Sequence, residues 1–337
     1  MGSPLAHIRL EATDPHPKKR WLFWQETMAP FFEVATESLD EFYGRADFYN
    51  LGAIVCGANR CAYQRYARSR RKIASTGLDQ YLVQYCYDGG SRGVAGGQEM
   101  LVRPGDIGII DLSQVCESID EAGRVFTMVV PQSLLNEAAR GRTDLHGLTI
   151  AGDSPSGKLL ADYLRALEEW LPRGDQSEAA EVVDATLSLL SSALCAVLGM
   201  RASNTRRLEE LTGIRIRRHI LRNLCSPDLT PASVAHHFEL SRTQLYRYFE
   251  PDGGVAAFIR RARLRSCLAR LTDPSRRVSS IRELAEEHGF SCEAHFSRLF
   301  RRTFGVSPTE ARRAGHVASR SRLDDVGELI GWTRSLA

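Results

Sequence analysis

The sequence predicts an α+β protein: a mostly antiparallel β N-terminal half, a helical segment, then an all-α domain in which two similar units are joined by a long helix. Three observations predict it. Short segments rich in Val, Ile and Tyr alternate with turn signals from about Phe48 to Val130. A motif near Leu245 returns 51 residues further on. Charge also divides the chain, because residues 212–316 hold 19 arginines, no lysine and 10 acids, whereas residues 1–211 hold 22 bases and 28 acids. A basic module joined to an acidic one is the layout of a nucleic-acid binder that carries a separate domain.

The 337 residues suffice for two cores, and 43% hydrophobic with 25% charged residues is the composition of a soluble globular protein. The longest apolar run, Leu187 to Met200, is interrupted by three serines and falls short of a membrane span, so it reads as a buried helix. Without a secretion or transit pattern at the N-terminus, the expectation is a cytoplasmic protein with no membrane contact. Eight cysteines show no C-x-x-C spacing and no zinc-like partner histidines, which suggests reduced thiols rather than a metal knuckle or redox pair.

In the N-terminal half (1–150) strands are expected at 53–57, 60–66, 80–87, 98–103, 107–111 and 124–130, spaced as in an antiparallel barrel or sandwich. Arg103-Pro-Gly-Asp-Ile107 reads as a tight turn. The glycine-rich run Gly89 to Gly97 lacks the G-K-[ST] of a phosphate loop and is better explained by hairpin turns. Metal-dependent β-barrels need inward histidines. Here His7, His16 and His146 fall outside the expected strands, and neither a metal nor another cofactor is expected. No catalytic motif is present, and no enzyme is expected. Arg65, Tyr81 and Gln84 are candidates for holding a small carboxylate or aromatic effector, although Tyr81 and Gln84 cannot share a strand face. Arg65 as a solvated side chain and Tyr81 as core remain open alternatives.

Residues 151–211 read as two helices, Pro155 to Leu171 and Glu178 to Met200, followed by a polar linker over 201–212. The second apolar stripe is wide enough to pack on the barrel and to pair with another copy, so both packing within the chain and homodimerisation stay open.

The C-terminal domain (212–316) repeats itself. Leu245-Tyr-Arg-Tyr-Phe249 matches Phe296-Ser-Arg-Leu-Phe300, Gly254-Val255 matches Gly305-Val306, and Val234-Ala235 matches Leu284-Ala285 at an offset of 50. Each copy is a short helix, a turn and a second helix, giving helix-turn-helix units at about 231–250 and 280–303. Thr230 before Pro231 and Ser241 are expected N-caps, and Gly289 is expected to close its helix in the left-handed region. Four-residue spacing turns Leu245 and Phe249, and likewise Phe296 and Phe300, inward. Arg242, Thr243, Tyr246 and Arg247 then face out on the first unit, and Glu293, Ala294, Ser297 and Arg298 on the second. Such side chains can read base edges in a major groove. Between the units, Val255 to Leu271 reads as one long helix with arginines along its outer side.

Ile281-Arg-Glu-Leu-Ala-Glu-Glu-His-Gly-Phe290, His295-Phe-Ser-Arg-Leu-Phe300 and Gly305-Val-Ser-Pro308 together resemble the signature of the AraC/XylS family of transcription regulators. Leu240 to Phe249 matches the weaker first half of that pattern. The resemblance implies double-stranded DNA as partner, RNA polymerase as a further one, and a one-component regulator, usually an activator, whose N-terminal domain is a cupin-like sensing barrel. The chain departs from the pattern in three places: Ala311 stands where an aromatic is usual, Cys292 replaces a better N-cap, and a tail (317–337) runs on to Ala337. An alternative is a DNA-binding regulator with no small-molecule effector, controlled by abundance or by a protein partner.

Overall fold

The computed structural model describes residues 3–199, 212–213, 215–217, 219–250, 252–272, 278, 280–318 and 324–336. Its N-terminal part is a sandwich of two antiparallel sheets. One holds β1 (Ala6–Glu11), β3 (Gly44–Asn50), β4 (Val55–Cys61), β6 (Tyr81–Cys86), β9 (Ile107–Asp111), β11 (Gly123–Val130) and β12 (Thr149–Ile150), in the order β1-β3-β4-β11-β6-β9-β12. The other holds β2 (Glu33–Ala35), β5 (Gln64–Arg68), β7 (Ser91–Ala95), β8 (Gln98–Val102) and β10 (Cys116–Asp120), in the order β2-β5-β10-β7-β8.

The larger sheet is covered on both faces, which explains why β9 is buried at every position. Phe126, Met128 and Val130 of β11, with Tyr81, Val83 and Tyr85 of β6, join an outer core under α3 (Gln132–Ala138), α4 (Pro155–Trp170) and α5 (Ala179–Val197). Their neighbours Val129, Leu82 and Ile110 face the second sheet and meet Met100, Val102 and Cys116 there. Residues Gln176–Val197 are long and apolar enough to cross a membrane by length and composition alone. The inner side of α5, including Val183, Leu190 and Leu194, is nevertheless buried in the outer core.

The sequence expectation placed 107–111, 80–87, 98–103 and 124–130 within a residue of the strands formed. The pair at 53–57 and 60–66 moves to β4 and β5, with the turn at Ala62-Tyr63. β1, β2, β3, β7, β10 and β12 were not expected. Several are short and polar: β10 reads CESID and β7 reads SRGVA, sequences without a Val/Ile run. The glycine-rich run thus contains a strand between two turns. Gly96 and Gly97, at φ 59° and 86°, form the two-residue hairpin from β7 to β8. His7 lies on β1, stacked on Tyr49 at 4.4 Å, a correction to its expected place outside the strands.

The C-terminal helices are α6 (Pro231–His237), α7 (Arg242–Tyr248), α8 (Val255–Thr272), α9 (Ile281–Glu287), α10 (Glu293–Phe304), α11 (Pro308–Ala318) and α12 (Asp324–Ser335). They build two small cores. Ile216, Ile220, Val234, Leu245, Phe249 and Ile259 form the first; Leu268, Leu284, Phe296, Phe300 and Phe304 form the second. The expected linker at 201–212 lies, apart from Thr212, outside the described residues.

Side-chain hydrogen bonds from Arg265 and from Thr143 cross between the halves, and two whole elements also tie them together. Helix α2 (Arg70–Thr76) leaves the barrel and buries Ile73 and Ala74 in the second C-terminal core. Its base is fixed by Arg68, 1% exposed, whose guanidinium donates to the carbonyls of Phe31, Leu112 and Leu78 and to Thr76 Oγ1. Burial away from water pushes the Arg68 pKa down to about 10. At the other end of the chain, α12 returns to the barrel, where Val326, Leu329, Ile330 and Leu336 join the inter-sheet core beside Ile8 and Leu10 of β1.

Candidate nucleic-acid interface and barrel cavity

The two helix-turn-helix units share one burial pattern. Along Leu245 to Phe249 and along Phe296 to Phe300 the positions run buried, half-buried, exposed, half-buried, buried. Leu245, Phe249, Phe296 and Phe300 are each 0% exposed, and Arg247 and Arg298 are the exposed centres of the two stretches. Hydrophobic contact at i and i+4 fixes the rotation of each second helix, and that rotation decides which residues meet water.

The turns are equally matched. In the first unit Glu239 takes φ 54°, and Leu240 N–H donates to Ala235 O at 2.9 Å; in the second Gly289 takes φ 70°, and Phe290 N–H donates to Ala285 O at 2.9 Å. A left-handed residue closing the first helix supplies the bend in both units. A side chain at 289 would also meet the Arg263 guanidinium at 2.7 Å. Thr230 and Ser241 cap α6 and α7, each within a reciprocal capping box. Cys292 caps α10 without a side-chain hydrogen bond, yet the nearby backbone N–H groups of His295 and Ala294 hold its thiol below the ordinary thiol range.

Of the eight outward candidates, Arg242, Thr243, Arg247, Glu293, Ala294 and Arg298 are exposed. Tyr246 and Ser297 are only half-buried. Tyr246 packs at the edge of the first core, with the Arg242 guanidinium 5.4 Å from its ring centroid. The basic balance of this domain overstates what it can offer DNA, because four arginines of α8 work internally. Arg261 pairs with Asp252 at 2.9 Å, Arg263 donates to the carbonyls of Leu224 and Ser226, Arg265 reaches Gln132 and Ser113 of the barrel, and Arg270 pairs with Glu287. The sequence pattern places arginines on the side of the helix away from its apolar stripe and does not show these partners.

Between the two sheets lies a cavity of about 100 Å³ whose walls include Phe31, Phe48, Met100, Leu329, Gln84 and Asp120. Of the three effector candidates only Gln84 reaches it, donating to Thr127 Oγ1 at 3.3 Å. Tyr81 points to the opposite face of β6, 1% exposed, with its hydroxyl donating to Asn136 Oδ1 and Thr143 O. Arg65 lies on the outside of β5, paired with Glu37 at 2.6 Å, since strand parity turns its neighbours Gln64 and Tyr66 inward instead. Asp120 and the wall residue Leu329 were missed. β10 carries no apolar run to announce a strand, and the last helix gives no local sign of where it docks.

Residues 25–195 match the AraC-binding-like domain family, and residues 234–314 match a helix-turn-helix domain family. Among curated proteins, the chain is 29% identical over 248 residues to the transcriptional activator NphR of Rhodococcus sp, covering 72% of each. It is 36% identical over 76 residues to the XylDLEGF operon transcriptional activator 1 of Pseudomonas putida, covering 22% of this chain and 23% of that one. Among solved structures, the AraC-like transcriptional activator CuxR superimposes with a TM-score of 0.55 at 24% identity, over 77% of this chain and 94% of that one. The doubled helix-turn-helix with its matched faces and the sandwich ahead of it agree with these findings, and the chain belongs to the AraC/XylS family of DNA-binding transcription regulators.

Proposed function

We propose that the protein is a ligand-responsive transcription activator in which occupancy of the barrel cavity sets how the two recognition helices, α7 and α10, are presented to DNA. The observation that carries this reading is a continuous path of contacts. Leu329 walls the cavity from α12; Arg334 of the same helix donates to Thr76 O at the end of α2, at 3.3 Å; α2 places Ile73 and Ala74 inside the second helix-turn-helix core. A ligand that favours one position of α12 would bias the DNA-binding units by its differential affinity for the two arrangements.

In this reading residues 1–150 form the sensing barrel, 151–211 the dimerisation segment and linker, 212–316 the DNA-binding domain and 317–337 a tail that couples them. Arg242, Thr243, Tyr246, Arg247, Glu293, Ala294, Ser297 and Arg298 line the major-groove faces, with the two units in successive grooves of one duplex. A homodimer would use the outward apolar residues of α4 and α5, where Leu159 and Val197 are exposed. The protein acts in the cytoplasm, contacts RNA polymerase and carries out no catalysis.

The test is thermal melting of the full chain against acidic, basic and neutral single-ring compounds, followed by promoter-DNA binding with any compound that raises the Tm. A compound that changes both supports the reading. No shift with any class would instead favour control by abundance or by a protein partner.

A further inference from the structure

The cavity is built around one acid. Ser91 and Ser118 both donate to the same oxygen of Asp120, Oδ1, at 2.7 and 2.8 Å, and among the described residues Oδ2 has no hydrogen-bond partner. Among the described residues, those lining the cavity include no Lys, Arg or His. The other titratable groups that feel Asp120 are Cys61, Cys86, Cys116 and Tyr66, and burial raises the pKa of each, so all are neutral near pH 7. Among the described residues Asp120 thus has no counter-charge, and burial correspondingly raises the pKa of its own carboxyl group.

The rest of the space is apolar on one side and carries neutral hydrogen-bonding groups on the other. Phe31, Phe48, Leu82, Met100 and Leu329 supply hydrocarbon, while Gln84, Thr127 and Asn59 form a hydrogen-bonded row across β6, β11 and β4. An engineered apolar cavity of roughly 150 Å³ takes up benzene, so a volume of about 100 Å³ calls for a ligand close to a single ring in size.

We infer that the barrel cavity binds a small apolar amine, its ammonium group donating to Asp120 Oδ2 and its hydrocarbon body packing between Phe48, Met100 and Leu329. A buried charge without a partner is costly, and an entering cation removes that cost while completing the hydrogen bonds. A carboxylate of the same shape would place two like charges together in a poorly solvated site, and an alcohol would offer a hydrogen bond without the charge. This assignment rests on the ligand-responsive reading above and names its ligand class.

Three probes of one shape test it on the full chain: benzylamine, benzyl alcohol and benzoate, by thermal melting and by calorimetric titration. The expected result is a Tm rise of several degrees with millimolar benzylamine, a much smaller one with benzyl alcohol and none with benzoate. Asp120→Asn should abolish the benzylamine response. Leu329→Trp, which fills the cavity from its other wall, should do the same, so the claim survives poor folding of either variant alone. Benzoate binding, or benzyl alcohol binding as tightly as the amine, would overturn the ligand class and leave the ligand-responsive reading standing. Silence from all three, together with the acidic, basic and neutral panel, would overturn both.

Discussion

Arg265, midway along the helix that joins the two helix-turn-helix units, donates to Gln132 Oε1 at 2.7 Å and to Ser113 Oγ at 2.8 Å, both on the barrel. A charged donor that satisfies two neutral acceptors across a domain boundary contributes about 1.5–3 kcal/mol. Arg265→Ala should therefore separate the unfolding of the two halves in scanning calorimetry, with a new transition at lower temperature. A single unchanged transition would mean that the remaining contacts, α2 in the second core and Thr143 on Asp252 among them, suffice to hold the halves together.

Arg247 and Arg298 occupy equivalent exposed points between buried aromatic or leucine anchors. Replacing either by alanine is expected to cost about 1–3 kcal/mol on the protein's own operator and to relax base choice locally. Random-sequence DNA should be bound nearly as before. Equal weakening on both, in a competition gel-shift titration, would place these guanidinium groups on phosphates.

Glu239 and Gly289 hold the same left-handed conformation, but only glycine does so without strain. Glu239→Gly should stabilise the domain by about 1 kcal/mol, the approximate cost of the left-handed conformation for a residue bearing a Cβ. Gly289→Ala should destabilise it by at least as much, because its Cβ also meets Arg263. Denaturant midpoints at constant m-value read both effects.

His288 is 0% exposed, its ring held by Leu284 O at 2.9 Å and Ser266 Oγ at 3.0 Å. Burial lowers its pKa from the ordinary 6.5, so the unfolded chain binds this proton more readily than the folded one. Its contribution to stability is complete above pH 6.5 and is lost as the pH falls below that value toward the depressed pKa. The Tm of the C-terminal transition should drop between pH 7 and pH 5, and His288→Gln should flatten that drop. An unaltered slope in the variant would assign it to His219, whose pKa is also lowered by burial and by nearby His237.

What the sequence revealed was local. The caps at Thr230 and Ser241, the left-handed Gly289, the turn at Arg103–Asp106 and the inward Phe249 and Phe300 all follow from spacings of a few residues, and the structure agrees with each. Contacts between distant segments were not visible. Helix α2 offers only Ile73 and Ala74 as an apolar face, too little to announce that it completes another domain's core. The arginines of α8 look alike in sequence, and only the fold shows that Arg261, Arg263, Arg265 and Arg270 are engaged internally. Arg65 and Tyr81 take their alternative readings, a solvated side chain paired with Glu37 and a core residue, because strand parity turns both away from the cavity. Ala311, the departure noted near the end of the second unit, is 1% exposed in the core that α2 enters, where a small residue permits the close approach of that helix.

The return of α12 to β1 also bears on how the molecule comes to be. Ile8 and Leu10 of β1 share a cluster with Leu329 and Ile330 of α12, more than 300 residues away along the chain. Closing so large a loop is slow and entropically unfavourable before its contacts form. Until that helix docks, one flank of the sandwich keeps its apolar side chains in water, so the inter-sheet core and the helix that walls the cavity are completed in one cooperative step.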